Sequence, residues 1–257
     1  MRITVLGGNG GFPSPAGACG GFLLEHEGVR LLVDPGYATF PQLVRHVAAE
    51  QVDAVFVTHG HPDHCADLSP LLRARVLGTG PAPTLPLYAP TGALDAVLAL
   101  DPPGTGLAAG YSLAPLHPAA PGRIGPFSVR SFPLPHFVPS VGLRFSVGDE
   151  TVSYTGDTGP SPALEPLADR ADLLVCEATY IQEVPAERSF AQFSADLAGK
   201  LAARAGARRL LLTHVWPGTD PDALEHAARQ RYDGPVATAE IGLVVDLSRR
   251  VEGHQPF

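Results

Sequence analysis

Four residues of metal-binding type lie within six consecutive positions of this chain, directly after an apolar run. The motif HGHPDH occupies residues 59–64, and the apolar residues 52–58 before it predict a buried strand. Imidazole and carboxylate groups together suit zinc, or manganese and iron where carboxylates are plentiful. A loop at a strand end lets neighbouring residues point in different directions, so the motif can serve two metals. The two pairs are His59 with His61 and Asp63 with His64. A polar loop with surface histidines is the alternative, and the density of donors argues against it.

Three further candidate ligands follow hydrophobic stretches downstream, namely His136, Asp157 and His214. Each stands at the end of a predicted strand, next to proline, glycine or threonine. Open sheets in α/β proteins place their chemistry beyond strand ends, and zinc takes about four ligands. Asp157 is the natural bridge, because one carboxylate can present an oxygen to each of two metals.

These segments together resemble the metallo-β-lactamase superfamily, and within it the branch of ribonuclease Z and related phosphodiesterases. The matching segments span nearly the whole chain in the family's order, at residues 58–64, 135–136, 139–144, 154–158, 176–179 and 212–214. The resemblance implies two divalent ions, zinc in the first place and manganese or iron as alternatives. It assigns one ion to His59, His61, His136 and Asp157, and the other to Asp63, His64, His214 and the shared Asp157.

Strands and helices alternate along the chain in two halves, and no boundary separates independent domains. We therefore expect a single domain over residues 1–257 with an α/β fold, a four-layer αββα sandwich. A helix is predicted over residues 40–49, with Leu43, Val44 and Val47 on one side. Strands are predicted at 3–6, 21–26, 29–33, 52–58, 85–89, 127–132, 141–147, 151–155, 173–176, 209–213 and 241–245, further helices at 94–100, 194–205 and 221–230, and loops at 78–86, 101–110 and 114–125.

Composition fits a globular protein, with 257 residues, 45% of them hydrophobic. No apolar run is long enough to cross a membrane. The chain starts directly with a strand and lacks the features of a signal peptide. Its three cysteines are an odd and widely spaced set, which argues against a disulfide framework. We therefore expect a cytoplasmic protein with no membrane partner.

Two divalent ions about 3.5–4 Å apart can bridge a hydroxide and hold the oxygens of a phosphodiester or an ester. A proton donor for the leaving group is also needed. The resemblance to ribonuclease Z assigns that role to Glu177, paired with a histidine whose position is occupied here by Gln192. Glutamine forms hydrogen bonds but does not titrate, which puts this relay in doubt. We predict Asp63 and Glu177 as the catalytic residues. Ser140, Arg144 and Gln192 are candidates for substrate contact.

A small substrate is favoured over a nucleic acid. The net charge is −8, whereas nucleic-acid binding depends largely on cations that meet phosphates. Ribonuclease Z usually carries a long arm that grips transfer RNA between the third histidine and the bridging aspartate. Residues 137–156 leave room here only for two strands and a turn. Members of this branch without the arm imply a phosphodiesterase for a small, cyclic nucleotide-like substrate, and transfer RNA 3′-processing is disfavoured.

Three other functions stay open. A hydrolase or lyase acting on a carbon ester, thioester or lactone is favoured by Gln192, because an acyl substrate with a good leaving group needs less acid assistance. A non-catalytic protein with structural metals is disfavoured by the complete ligand set. An oxygen-activating iron enzyme is usually built with one metal rather than two. The resemblance also implies a homodimer, the common state in this family.

Overall fold

The computed structural model describes residues 1–78, 80, 82–101, 106–116 and 122–248. Its strands, β1 to β14 in chain order, span Arg2–Gly7, Gly21–His26, Val29–Val33, Ala54–Phe56, Leu85–Ala89, Tyr111–Pro115, Gly122–Ile124, Phe127–Leu134, Ser140–Val147, Glu150–Tyr154, Leu173–Glu177, Leu210–Thr213, Val236–Thr238 and Val244–Asp246. Helices α1 to α7 span Phe40–Leu43, Pro62–Cys65, Leu68–Leu77, Asp95–Leu98, Leu164–Ala168, Ala195–Ala205 and Pro221–Arg229, and 3-10 turns lie at Ala49–Gln51 and Leu107–Gly110.

The strands form two seven-stranded sheets. The first has the order β14-β1-β2-β3-β4-β5-β6, and the second has the order β13-β12-β11-β10-β9-β8-β7. Strands β3 to β6 are parallel, as are β10 to β13, and the other pairs are antiparallel. A hydrogen bond from the Val141 N–H to the Thr58 carbonyl (3.1 Å) joins the two sheets at one edge.

The central strands of each sheet are buried on both faces, and the two-residue period of a strand decides which layer a side chain enters. In β11, Leu173 and Val175 enter the core between the sheets, whereas Leu174 and Cys176 pack under the outer helices. Helices α5, α6 and α7 cover the second sheet, and α1, α3 and α4 cover the first. The predicted four-layer αββα sandwich is confirmed.

The helix predicted over residues 40–49 is much shorter than expected. Helix α1 ends at Leu43, and the N–H groups of His46 and Val47 both donate to the Leu43 carbonyl in a tight turn. Leu43 and Val47 are buried as predicted, but Val44 is 47% exposed. The apolar spacing identified two buried positions correctly, although turns rather than a helix bring them inward.

Other differences concern the boundaries of predicted elements and elements that the sequence did not predict. Strand β7 lies inside the loop predicted over residues 114–125, and β6 extends into its first two residues. The predicted strand 241–245 begins only at Val244, and Ile241 is exposed. Helices α3 and α5 were missed. Residues 79, 81, 102–105 and 117–121 of the predicted loops lie outside the described residues. Among the described helices, each is too short or too polar to cross a bilayer.

Gly199 of α6 packs against the backbone of Ala228 in α7. A Cβ atom added there would lie 2.4 Å from the Ala228 carbonyl oxygen, which belongs to the backbone and cannot move aside cheaply. Alanine has a helix propensity about 1 kcal/mol better than glycine, whereas overpacking costs about 1–3 kcal/mol. The clash should outweigh the gain in helix propensity, so we expect Gly199→Ala to lower the free energy of unfolding by about 1 kcal/mol. Urea denaturation measures this change. The exposed Ala203→Gly, on the same helix, measures the propensity effect alone. A more stable Gly199→Ala variant would contradict this packing.

Candidate metal centre

The predicted ligands beyond the first motif come from strand ends that share one edge of the sandwich. His136 follows β8, Asp157 follows β10 and His214 follows β12. Strands β10 to β12 are parallel, and β8 runs in the same direction because β9 is antiparallel to both of its neighbours. The carboxyl ends of these strands therefore bring the three ligands to the same place, facing the loop that follows β4.

The loop after β4 sends its donors in two directions because a helical turn begins within it. Pro62 is the first residue of α2, and His61 just before it has an extended backbone, with ψ 143°. Proline suits the first helical position, where a backbone N–H would lack an intrahelical partner. His59 and His61 therefore precede the turn, and Asp63 and His64 lie within it.

The first ligand set consists of His59, His61, His136 and Asp157, whose donor atoms lie within 4.8 Å of one another. His61 Nδ1 is 3.1 Å from His59 Nε2 and 3.1 Å from His136 Nε2. Asp157 Oδ2 lies 3.8 Å from His59 Nε2 and 3.9 Å from His136 Nε2. His61 and His136 are only partly buried, so solvent reaches the centre from this side.

The second set consists of Asp63, His64, His214 and the same Asp157, and all four residues are buried. His214 Nε2 is 3.3 Å from Asp63 Oδ2 and 3.0 Å from Asp157 Oδ2. His64 Nε2 is 3.5 Å from Asp63 Oδ2 and 3.3 Å from Asp157 Oδ1. Asp157 thus faces histidines of both sets, which a bridging carboxylate requires.

These separations fit bound divalent ions. With metal–nitrogen bonds of about 2.0–2.1 Å, neighbouring ligand atoms of a tetrahedral zinc site lie about 3.3–3.4 Å apart. In addition, His64 Nε2 and Asp157 Oδ1 are buried and form no hydrogen bond with the described residues. A buried polar atom without a partner is costly, and a cation satisfies both an imidazole lone pair and a carboxylate oxygen.

Hydrogen bonds at the outer ring nitrogens leave the inner nitrogens free to bind metal. His136 Nδ1 lies 2.8 Å from the Ala191 carbonyl oxygen, which can only accept, so this nitrogen donates its proton. His64 Nδ1 lies 2.8 Å from Asp34 Oδ2 and donates in the same way. In a neutral imidazole the other nitrogen, Nε2, then carries a lone pair.

Asp34 was not predicted as a site residue, and it supports both ligand sets. Besides His64, it accepts from the Thr58 hydroxyl (2.7 Å), which in turn lies 3.1 Å from His59 Nδ1. Asp34 is fully buried at the end of β3, in the left-handed region with φ 48°. It had the same sequence signal as the ligands, since an apolar strand precedes it and Pro35 and Gly36 follow.

Glu177 supports His214 from behind. The Thr179 hydroxyl donates to Glu177 Oε1 (2.7 Å) and lies 2.7 Å from His214 Nδ1. Glu177 also accepts from the backbone N–H groups of Thr158 (2.6 Å) and Phe193 (3.2 Å) and is fully buried. Burial and the negative charge of Asp157 raise the pKa of Glu177 to about 8. The structure therefore places this carboxyl group behind a ligand, without exposed surface.

Glycines allow the backbone to approach the centre closely. Gly11 donates its N–H to Asp63 Oδ2 (2.7 Å), so the glycine-rich segment after β1 lies against the second ligand set. A Cβ atom at Gly10 would lie 2.7 Å from the His214 ring, and Gly156 has φ 57° with the Thr58 side chain 2.9 Å from its Cβ position. His214 itself has φ 57°, a left-handed conformation that costs energy in a residue other than glycine.

The two sets differ in how tightly their histidines hold protons. Burial lowers the pKa of His59 well below its usual range and also lowers that of His136. Burial alone would lower the pKa of His214 as well, but the Asp157 and Asp63 carboxylates raise it to about 10. His59 and His136 therefore offer neutral imidazoles, whereas metal binding at His214 must displace a proton.

The three predicted substrate-contact residues lie in different places relative to the metal centre. Ser140 is buried, and its hydroxyl donates to the Asp157 carbonyl (3.1 Å), which supports the bridging residue. Gln192 is buried beside the site and accepts from the Tyr180 hydroxyl (3.3 Å). Arg144 is not brought to the centre, because it points to the helix layer and donates to the Leu167 carbonyl (2.8 Å) on α5. Strand alternation sends its side chain to the outer face of the second sheet.

The family profile described as "Beta-lactamase superfamily domain" matches residues 29–215. The chain belongs to this superfamily, with the metallo-β-lactamase fold. The probable metallo-hydrolase YhfI of Bacillus subtilis is 33% identical over 248 residues, which cover 95% of this chain and 99% of the relative. A ribonuclease Z of Haloferax volcanii is 31% identical over 305 residues, covering 96% of this chain and 95% of the relative.

Solved structures agree with this assignment. The crystal structure of YhfI superposes with a TM-score of 0.85 at 32% identity, covering 95% of this chain and 98% of YhfI. A diphosphatase from the PhnP family has the same fold, with a TM-score of 0.72 at 20% identity over 95% of this chain and 97% of its own. The chain is therefore a metal-dependent hydrolase, and the resemblance to the ribonuclease Z branch is confirmed.

Asp34 provides a test of how the two sets are coupled. Because it orients one histidine of each set, we expect Asp34→Ala to weaken the binding of both ions by about 10–100-fold, the usual effect of losing an outer-sphere partner. Equilibrium dialysis followed by elemental analysis measures both affinities. If Asp34→Ala does not fold, Asp34→Asn is measured instead, because asparagine keeps an acceptor for the Thr58 N–H.

Asp53→Ala is the matched control for Asp34. Asp53 accepts a backbone hydrogen bond from Arg30 (2.7 Å) at the other end of β4 and contacts neither ligand set. It should leave both affinities unchanged. If Asp34→Ala weakened only one of the two ions, the shared role of Asp34 would be refuted.

Proposed function

We propose that this protein is a phosphodiesterase that hydrolyses a small, cyclic nucleotide-like phosphodiester with two divalent ions, zinc in the first place. The observation that carries the proposal is the convergence of two ligand sets on Asp157. It is supported by the two buried atoms, His64 Nε2 and Asp157 Oδ1, that form no hydrogen bond with the described residues.

Each half of the proposed centre has a defined role. Bound there, the ions would lower the pKa of water toward neutrality and neutralise charge on the non-bridging phosphoryl oxygens. His59, His61 and His136 would hold one ion, and Asp63, His64 and His214 the other. Asp157 would be the ligand that both ions share, and the Gly11 N–H holds the Asp63 carboxylate in place.

The residues of the predicted relay are poorly suited to protonate the leaving group. Glu177 is enclosed by Thr158, Thr179 and Phe193 behind His214, so we assign it a positioning role instead of direct proton donation. Gln192 can orient a group through hydrogen bonds but has no proton to transfer at neutral pH. Substrates whose leaving oxygen needs little protonation should therefore react fastest.

Several features favour a small substrate over transfer RNA. The net charge is −8, and strands β9 and β10 with their turn take up the space between His136 and Asp157. The alignment with the Haloferax ribonuclease Z spans 305 positions, more than the 257 residues of this chain, so that relative has segments without a counterpart here. The names ribonuclease Z and diphosphatase both denote hydrolysis at phosphorus.

A hydrolase of a carbon ester, thioester or lactone is the second candidate. Gln192 at the position of the expected histidine favours it, because an acyl group with a good leaving group needs little acid assistance. Comparing kcat/KM for phosphodiesters with kcat/KM for lactones and thioesters separates the two functions. For the compartment, we propose the reducing cytoplasm, supported by three cysteines that are all free and buried.

The proposal predicts that metal content and activity depend on the bridge. The purified protein should bind about two metal ions per chain and hydrolyse bis(p-nitrophenyl) phosphate. Asp157→Ala should lose metal from both sets and reduce kcat by a factor of at least about 1000, because the ions create the nucleophile. Elemental analysis and p-nitrophenolate release measure these effects.

Asp169→Ala removes a carboxylate of the same type from an exposed position and serves as the control. It should keep both metals and full activity. Fewer than one ion per chain in fully loaded wild-type protein, or an Asp157→Ala variant that retains both ions, would contradict the proposal.

Gln192→His tests the account of the leaving group. A histidine there can donate a proton, and general acid assistance is worth about 100-fold or more where the leaving group is poor. We expect turnover of a cyclic nucleotide, which leaves as an alkoxide, to rise, and turnover of bis(p-nitrophenyl) phosphate to change little. The exposed Gln182→His is the control. Unchanged turnover of both substrates in Gln192→His would show that the missing relay does not limit the rate.

A further inference from the structure

The exposed phenylalanine and tryptophan side chains are not scattered over the surface. Within the described residues, the exposed members of these two types are Phe12, Phe137, Phe190 and Trp216. The chain has a single tryptophan, and it is one of these four. All four lie beside the metal centre, and we call them the aromatic rim.

Two members of the rim border the second ligand set. Phe12 directly follows Gly11, whose N–H donates to Asp63, and Trp216 lies two residues after His214. Their rings meet edge to face, with centroids 6.4 Å apart. Trp216 is 42% exposed and has the largest ring face of the four.

The other two members border the first set. Phe137 directly follows His136, and the two rings lie 5.1 Å apart. Phe190 directly precedes Ala191, whose carbonyl accepts the His136 Nδ1 hydrogen bond. Phe137 and Phe190 also meet edge to face, at 5.2 Å. Each ligand set therefore has its own exposed aromatic pair.

Single exposed hydrophobic residues are common, but clusters mark binding surfaces. A phosphodiester whose phosphorus is held at the two sets would extend its ester substituents outward past these rings. Consecutive Cα atoms are about 3.8 Å apart, so a residue one or two positions from a metal ligand lies no farther from that ligand than about the length of a sugar. A nucleobase at the end of that sugar is flat and stacks on an aromatic ring.

We propose that the aromatic rim binds the nucleobase of a nucleoside phosphodiester by stacking, with Trp216 and Phe12 as the main platform. This inference rests on the proposed phosphodiesterase function and adds the residues that select the substrate. The rim borders both ligand sets, so a protein partner seated on it would close the mouth of the metal centre. A small aromatic ligand uses the same surface while the phosphate reaches the centre.

The sole tryptophan makes binding measurable without turnover. Adenosine 5′-monophosphate, titrated into the metal-loaded protein, should quench tryptophan fluorescence with a saturable curve. Ribose 5-phosphate, which has the phosphate and sugar but no base, should cause little quenching. Equal quenching by both compounds would overturn the proposal.

Kinetics test the same rim through its selectivity. The measured quantity is the ratio of kcat/KM for a nucleoside 3′,5′-cyclic phosphate to kcat/KM for the base-free 1-O-methylribose 3,5-cyclic phosphate. Stacking on an aromatic side chain changes affinity about 5–100-fold per base. Trp216→Leu and Phe12→Leu should therefore lower the ratio about tenfold, mainly through KM, and Trp216→Phe should restore most of it.

Val44→Ala is the control, because Val44 is equally exposed but lies on the outer helix layer away from the centre. It should leave the ratio unchanged.

Light scattering measures the molecular mass of every variant. A ratio unaffected in Trp216→Leu, together with a change in molecular mass, would identify the rim as a protein interface and overturn the proposal. A protein inactive on every phosphodiester would refute the proposed function, whereas the fluorescence titration would still decide whether the rim binds a base.

Discussion

Burial of the Asp157 carboxylate among histidines of two ligand sets is the constraint on which the rest of this structure depends. An ionised carboxylate inside a protein is stable only when charges or hydrogen bonds compensate it. Burial alone would raise the pKa of Asp157, yet the positive charges of His214 and His64 hold it well below its usual range. One of its oxygens forms no hydrogen bond with the described residues. A divalent ion bound here would take over this compensation as the two histidines release their protons.

The supporting residues extend this balance outward. Asp34 holds one histidine of each set, directly or through Thr58, and Glu177 holds His214 through Thr179. The sheets supply rigid strand ends, and glycines let the backbone come close enough to place these groups. Such buried networks fix the orientation of the His59, His64 and His214 imidazoles before a ligand arrives, which is the preorganisation that a hydrolytic centre needs.

The same geometry changes the interpretation of two residues. Glu177 belongs to the predicted proton relay, but its enclosure behind His214 suits orientation better than proton transfer to a substrate. Gln192, beside it, forms a hydrogen bond with Tyr180. On the proposed function, weak acid assistance would favour substrates with stable leaving groups, and the proposed stacking on the aromatic rim would favour those with a flat substituent.

The sequence by itself predicted the seven candidate ligands that the structure brings together, the fold class and most strands, because strand periodicity and the polar residues after each strand are local signals. Strand β2 and strand β3 match the predicted ranges, whereas helix α1 does not, since turns can bury Leu43 and Val47 as well as a helix can. Tertiary structure alone decided that Asp34 serves both sets, that Arg144 points away from the centre, and that four distant aromatic residues share one rim. These facts depend on which strands become neighbours and which face each side chain takes, and long-range packing of the two sheets settles both.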